Sequence, residues 1–289
     1  MQGTLVDFVA TFNGVNRAEA WRWLGETCGF DVTYDPADSV TDILNRILGP
    51  KSPPKMKNES NPPIKSWKGM LPLTKVDAGL EYMLQRGLSM GSIEAAGLQW
   101  DPLTGRVAIP YLSNKGDLVG FKARDITGAH PAKYLVLGDR DKDPPTYGFK
   151  PFNTSLELYG HNEVLNGPRI PGPMTKTHYL TIVVVEGELN RIKVKQAGVQ
   201  NVVGLPTAAM SMFQAAMLRQ YYEEVILYLD CDDAGNRGVI TAESMLGNAC
   251  KVLVVPRHDR DPMDSEHDEI VWNIEKATST LTAKLTGGM

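Results

Sequence analysis

The run Val225-Ile226-Leu227-Tyr228-Leu229 breaks off into Asp230-Cys231-Asp232-Asp233-Ala234-Gly235, and no other stretch constrains the fold as much. An apolar, β-branched run of this length reads as a buried strand, and carboxylates followed by glycine read as the turn that ends it. Asp230 and Asp232 are two positions apart, so on extended backbone both face the same side. Carboxylates held side by side repel, and a divalent cation is the usual relief. An aspartate before glycine is often only a turn former, and Asp233 needs no more than that. Asp230 is different because it directly ends a buried run, where an unpaired charge is costly.

A second stretch repeats the pattern. Tyr179-Leu180-Thr181-Ile182-Val183-Val184-Val185 ends in Glu186-Gly187-Glu188-Leu189-Asn190. A helix is expected over about 189–196 and a short strand over 199–203. Strands alternating with helices imply a parallel sheet, and the ligand-binding ends of its strands lie on one edge. Glu186, Asp230 and Asp232 are therefore expected to converge there. A third strand, 251–255, leads to Asp259, Asp261 and Asp264, which can join them. Glu186 fits either a metal ligand or a general base. Glu188 and Asn190 are expected to open the following helix, Lys193 and Lys195 to form a solvated helix face, and His258 and His267 to lie at the surface.

Glu186-Gly187 after one strand, Asp230-x-Asp232-x-Ala234-Gly235 after another, and then Asp261-Pro262-x-Asp264 together resemble a Toprim domain, found in DnaG-type primases, topoisomerases and some nucleases. The family's first motif often reads Glu-Gly-x-x-Asp, whereas this chain has Asn190 at the last position. The resemblance implies a Mg²⁺ or Mn²⁺ site on Glu186, Asp230, Asp232 and Asp261.

Upstream, Arg86-Gly87-Leu88-Ser89, Arg106-Val107-Ala108-Ile109-Pro110, Val119-Gly120-Phe121-Lys122-Ala123-Arg124, Lys133-Tyr134-Leu135 and Leu158-Tyr159-Gly160 resemble, in that order, the basic N-terminal part of a DnaG-type primase catalytic domain. A helix is expected over 76–86, then a short one capped by Ser89. Strands are expected over 106–111 and 118–123, joined by a turn at Asn114-Lys115-Gly116-Asp117. Arg106, Lys122, Arg124 and Lys133 are the candidates for holding nucleotide and DNA, with Lys122 also a candidate catalytic residue. Arginine suits bidentate phosphate contacts and lysine a point charge. Each alone reads as a solvated surface charge; their clustering on neighbouring strands favours a site.

The resulting expectation is an α/β chain. A helical N-terminal segment (1–49) is similar to the tail of a primase zinc domain without its ligands, and it carries a capping-box signature at 16–19. A Pro/Lys-rich linker (50–68) follows, then a mixed α+β basic subdomain (69–178), a Toprim domain with a parallel sheet and flanking helices (179–265), and a C-terminal helix and tail (266–289) with Ser265 as its cap. The net charge of −4 argues against a salt-driven nucleic-acid coat. Three scattered cysteines, none in a Cys-x-x-Cys pair, argue against a zinc ribbon and a disulfide framework, so no zinc is expected in this chain. No signal peptide and no long apolar span is apparent, which implies a cytoplasmic protein and no membrane partner. No P-loop sequence is present, so no fused ATP-driven helicase is expected.

The resemblance implies a primase of bacterial or phage type that makes short RNA primers on single-stranded DNA from NTPs. A replicative helicase and a separately encoded zinc module are the expected partners. A Toprim nuclease, which would use the same acids with water, and a non-catalytic single-strand-binding subunit are the alternatives. Topoisomerase activity is disfavoured for want of a domain to carry a strand-passage tyrosine.

Overall fold

The computed structural model describes residues 9–10, 19–20, 60–65, 67, 69–139, 146–167, 181–207, 209–256 and 260–279. The chain divides into Met1–Met56 and Lys57–Met289. In the first unit the described residues are helical, with Val9 and Ala20 buried; the expected capping box and the rest of 1–49 lie outside the described residues, save Glu19. The second unit begins inside the stretch read as a linker. Two residues there are tied to the fold: Asn61 is buried and bonds to Glu157 and to the Asn153 carbonyl, and the Ile64 amide donates to Leu118 O, while residues 60, 62, 63 and 65 are exposed.

The first half of this unit is an antiparallel meander of β1 (Leu71–Pro72), β2 (Gln99–Asp101), β3 (Arg106–Leu112), β4 (Leu118–Asp125) and β5 (Tyr134–Val136), in chain order across the sheet. Helices α1 (Asp77–Gln85) and α2 (Met90–Ala95) lie between β1 and β2. Ser89 caps α2 through Ser92 N, as its side chain predicts. The hairpin turn falls where Asn-Lys-Gly-Asp signals it, closed by Ser113 N to Asp117 O at 2.8 Å.

Strand alternation then sorts the side chains. Val107 pairs with Arg124 and Ile109 with Lys122, so these four share one face. That face packs on α1, α2 and the later helix Glu188–Gln196 through Met83, Ile93, Leu189 and Ile192. Ala108, Phe121 and Ala123 bury the other face with Leu137 and Phe149. A short helix α3 (His161–Asn166) follows.

The second half is the expected parallel sheet. It comprises β6 (Thr181–Glu186), β7 (Val202–Leu205), β8 (Glu224–Tyr228) and β9 (Lys251–Val254), in the order β7-β6-β8-β9 with every pairing parallel. Its helices are α4 (Glu188–Gln196), α5 (Met212–Tyr221), α6 (Asp233–Leu246) and α7 (His267–Glu275). Both faces are covered, which is why β6 is apolar throughout instead of alternating. Ile182 and Val184 join Leu218, Val239 and Ala242 on one side, and Val183 and Val185 join Val194, Ile270 and Ile274 on the other. A bridge between Tyr159 and Gly204 ties the segment before α3 to β7. Arg191, 1% exposed, adds to the join by bonding both carboxylate oxygens of Glu163 on α3.

Three local expectations are corrected. Lys193 and Lys195 are not a solvated face: Lys193 is buried with its ammonium on Gly87 O at 3.3 Å, and Lys195 pairs with Glu163. Two packed neighbours cover a helix face that composition alone marks as polar. Ser265 does not cap the last helix. Glu266 does, in a reciprocal capping box with Glu269, while Ser265 Oγ turns back to Asp261 O. Glu188 and Asn190 do open α4, but neither side chain serves its exposed N–H groups; both point into the site described next.

Candidate active site

The order β7-β6-β8-β9 means that the chain leaves β6 towards one edge and returns on its other side at β8. The crevice beyond the carboxyl ends of β6 and β8 is therefore the switch point of the sheet, where open α/β folds bind ligands. Glu186 is the last residue of β6, Asp230 lies just past β8, and Asp261 starts the short helical turn Pro262–Asp264 beyond β9.

Backbone geometry fixes each acid. Gly187 has φ +77°, a conformation that favours glycine, and it swings the chain from β6 straight into α4. Asp232 is the N-cap of α6, its Oδ1 accepting from Gly235 N at 2.7 Å. A side chain at Gly235 would collide with the Asp230 carbonyl oxygen, so this position must be glycine. Asp261 Oδ1 accepts from Cys231 N at 3.3 Å, which ties the turn after β9 to the Asp-x-Asp loop. Asn190, on the first turn of α4, donates to Asp230 Oδ1 at 2.8 Å and accepts from Met263 N at 3.0 Å.

These acids are close enough to titrate one another. Burial, then Asp261, Glu186 and Asp232, lift the Asp230 carboxyl to about 7, against the opposing bond from Asn190. Burial, then Asp232 and Asp261, also raise Glu186, while Lys122 and Lys133 act in the opposite direction. Glu186 Oε2 is buried with no hydrogen-bond partner. A partnerless buried carboxylate oxygen amid mutually repelling acids fits a cation as the missing partner. Among the described residues no three or more His, Cys, Asp or Glu side chains form a ready metal cage. A cation held here would take only part of its shell from the protein and the rest from waters or substrate.

The other candidates are distributed unevenly. Asp264 turns outward to Arg86 at 3.3 Å, and Asp259 and His258 lie outside the described residues. His267 is exposed, as expected, and contacts Gln196. Lys122 and Arg124 lie on the sheet face turned towards α4, and both are buried. Lys122 pairs with Glu188 at 2.8 Å, and its Nζ lies 4.4 Å from the Tyr134 ring centre. Arg124 donates twice to Tyr82 Oη, at 2.9 and 3.1 Å, and to Tyr134 Oη at 2.7 Å. Arg106 is one position out of phase, so it falls on the opposite face, where it bonds to the carbonyls of Ala132 and Lys133. Lys133 itself is exposed. The four cations thus do not form one cluster: Lys122 and Lys133 act on Glu186, and Arg106 braces the segment leading into β5 that carries Lys133.

Sequence reasoning missed the working contacts of Asn190, Glu188, Tyr111, Tyr82 and Tyr134. A signal existed only for Asn190, four positions after Glu186 and so one helical turn into α4; the tyrosines carry none.

Residues 181–255 match the Toprim domain family. A DNA primase of Clostridium acetobutylicum is 28% identical over 193 residues, covering 63% of this chain and 29% of that protein. A DNA primase of Legionella pneumophila is 30% identical over 155 residues, covering 54% of this chain and 24% of the relative. The chain thus spans less than a third of the length of these relatives. Among solved structures, a DnaG primase catalytic domain bound to single-stranded DNA superposes with a TM-score of 0.55 at 18% identity, covering 73% of this chain and 75% of that one. It shares the fold, a parallel Toprim sheet preceded by an antiparallel one. With the acids at the switch point of that sheet, this chain carries a match to the Toprim domain over residues 181–255 and is similar to DNA primases.

Proposed function

We propose that this chain is a primase catalytic core, which joins ribonucleotides into short RNA primers on single-stranded DNA with Mg²⁺ or Mn²⁺. The observation that carries the reading is the meeting of Glu186, Asp230, Asp232 and Asp261 at the sheet's switch point, where the buried Glu186 Oε2 has no partner.

In this reaction a 3′-hydroxyl oxygen bonds to the α-phosphorus of the next nucleotide, the bond to pyrophosphate breaks, and the hydroxyl proton must leave. Most of the barrier is charge and position. One or two carboxylates from the set Glu186, Asp230, Asp232 and Asp261 would hold the metal, which when bound would supply charge stabilisation to the phosphate oxygens. Asn190 holds Asp230 by one carboxylate oxygen. With the metal on the aspartates, Glu186, raised by burial and by Asp232 and Asp261 in the metal-free protein, is suited to accept the hydroxyl proton. Lys133, exposed on the approach to the acids, would meet phosphates first, and Lys122 adds a fixed positive charge beside Glu186. Arg124, held by two tyrosine hydroxyls, keeps N–H donors for nucleotide or template, and Arg106 keeps the Lys133 segment in place. The partners implied are single-stranded DNA, nucleoside triphosphates, a replicative helicase and a zinc-binding module. No helix among the described residues is long and apolar enough to cross a membrane.

The test is primer synthesis on single-stranded DNA with labelled NTPs and Mg²⁺ or Mn²⁺, using Asp230→Ala as the control. Short labelled oligomers from the wild type and none from the variant support the reading. Cleavage of the template in their place would identify a nuclease, and DNA binding that survives the substitution with no product would identify a binding subunit.

A further inference from the structure

Glu188 is a fully buried carboxylate, at 0% exposure, and it lies two positions past Glu186. Its Oε1 accepts from Lys122 Nζ and from the Tyr111 hydroxyl, while its Oε2 is buried without a partner. Burial, followed by the field of Glu188, pushes the Tyr111 phenol far up, so that hydroxyl remains a donor. The Lys122 ammonium is held from three sides: by Glu188, by the carbonyl of Pro206 just past β7, and by the face of Tyr134. Nothing in the fold's hydrophobic packing requires an ion pair here. The surrounding face is apolar, and a buried pair is weak evidence for stability because desolvation offsets the attraction. What the pair does achieve is to fix a positive charge from the antiparallel sheet against the parallel one, in the field of Glu186.

We infer that Glu188 is a positioning residue: it anchors Lys122 across the seam between the two sheets, so that the ammonium forms a fixed wall of the nucleotide site and not a mobile surface charge. The inference rests on the proposed nucleotidyl transfer for its activity readout and on the ion pair alone for its chemical readout. Glu188 itself faces Lys122 and Tyr111 and touches no reacting atom.

The chemical test is trace acetylation of lysines in the full chain, followed by mass spectrometry, with exposed Lys133 as the internal reference. Lys122 is expected to react at least about tenfold more slowly than Lys133 in the wild type, and to lose most of that protection in Glu188→Gln, which keeps the shape and removes the charge. In primer synthesis at a temperature where both proteins are folded, Glu188→Gln is expected to raise KM for NTP about tenfold with a smaller change in kcat; loss of fold alone would lower the active fraction and leave KM unchanged. Glu188→Asp, which keeps the charge on a shorter arm, is expected to recover part of the KM. Equal labelling of Lys122 and Lys133 in the wild type, or an unchanged labelling pattern and KM in Glu188→Gln, would overturn the inference. A wild-type chain that makes no oligomers yet shows the Lys122 protection and its loss in Glu188→Gln would sink the primase reading and leave the anchor standing.

Discussion

Replacing Asp230 with asparagine should make the metal-free protein more stable at neutral pH, and the size of the gain follows from the site. The Asp230 carboxyl rises from an ordinary 3.8 to about 7 in the fold, first through burial and then through Asp261, Glu186 and Asp232. Below about pH 4 the group is protonated in both folded and unfolded chains, and stability is unaffected. Between about pH 4 and 7 the unfolded chain loses this proton and the folded chain keeps it, so stability falls as pH rises. Above pH 7 the folded protein carries the full cost of the ionised group. That cost is about 4 kcal/mol for a group shut off from water, and about 1–2 kcal/mol for one that is only half-buried. Asparagine has no proton to lose and still offers an oxygen to Asn190 Nδ2. Thermal unfolding in EDTA from pH 4 to 8.5 should show the wild-type Tm falling relative to Asp230→Asn by about 3–6 °C. Added Mg²⁺ should close the gap from the wild-type side, because a cation bound only to the folded chain stabilises it. Parallel Tm curves for the two proteins across that range would refute the crowding of acids on which the candidate site is built.

Further outcomes follow from the same contacts. Lys122→Met strands the buried Glu188 and should cost about 3–5 kcal/mol in urea unfolding, whereas the double change Lys122→Met with Glu188→Leu should regain most of it. Asn190→Leu removes both the bond to Asp230 and the bond from Met263 N; it should cost about 2–3 kcal/mol and raise the Mg²⁺ concentration needed for half-maximal primer synthesis. Gly235→Ala drives a methyl group into the Asp230 carbonyl oxygen and should cost about 1–3 kcal/mol, with Mg²⁺ no longer raising the Tm.

The sequence by itself determined the parallel domain and its acids. The apolar runs 182–185 and 225–229 each lead into a carboxylate, Glu186 directly before Gly187 and Asp230 five positions before Gly235. That pattern is local: a strand buried on both faces must be apolar throughout, and the charge that ends it must lie at the sheet's edge. The strand and turn signals at 106–125 were legible for the same reason. The tertiary structure alone decided the fate of the charges in between. One residue of strand phase separates Arg106 from Lys122 and Arg124, and the packing of α4 on the antiparallel sheet turns Lys122 from a surface charge into one paired with the fully buried Glu188. It also turns Asn190 from a helix opener into the bridge between Asp230 and the turn after β9. Propensity and spacing describe each segment against water. A buried ion pair or a bridging amide exists only when two segments distant in sequence exclude water from the same point, and that depends on the packing of both sheets at once.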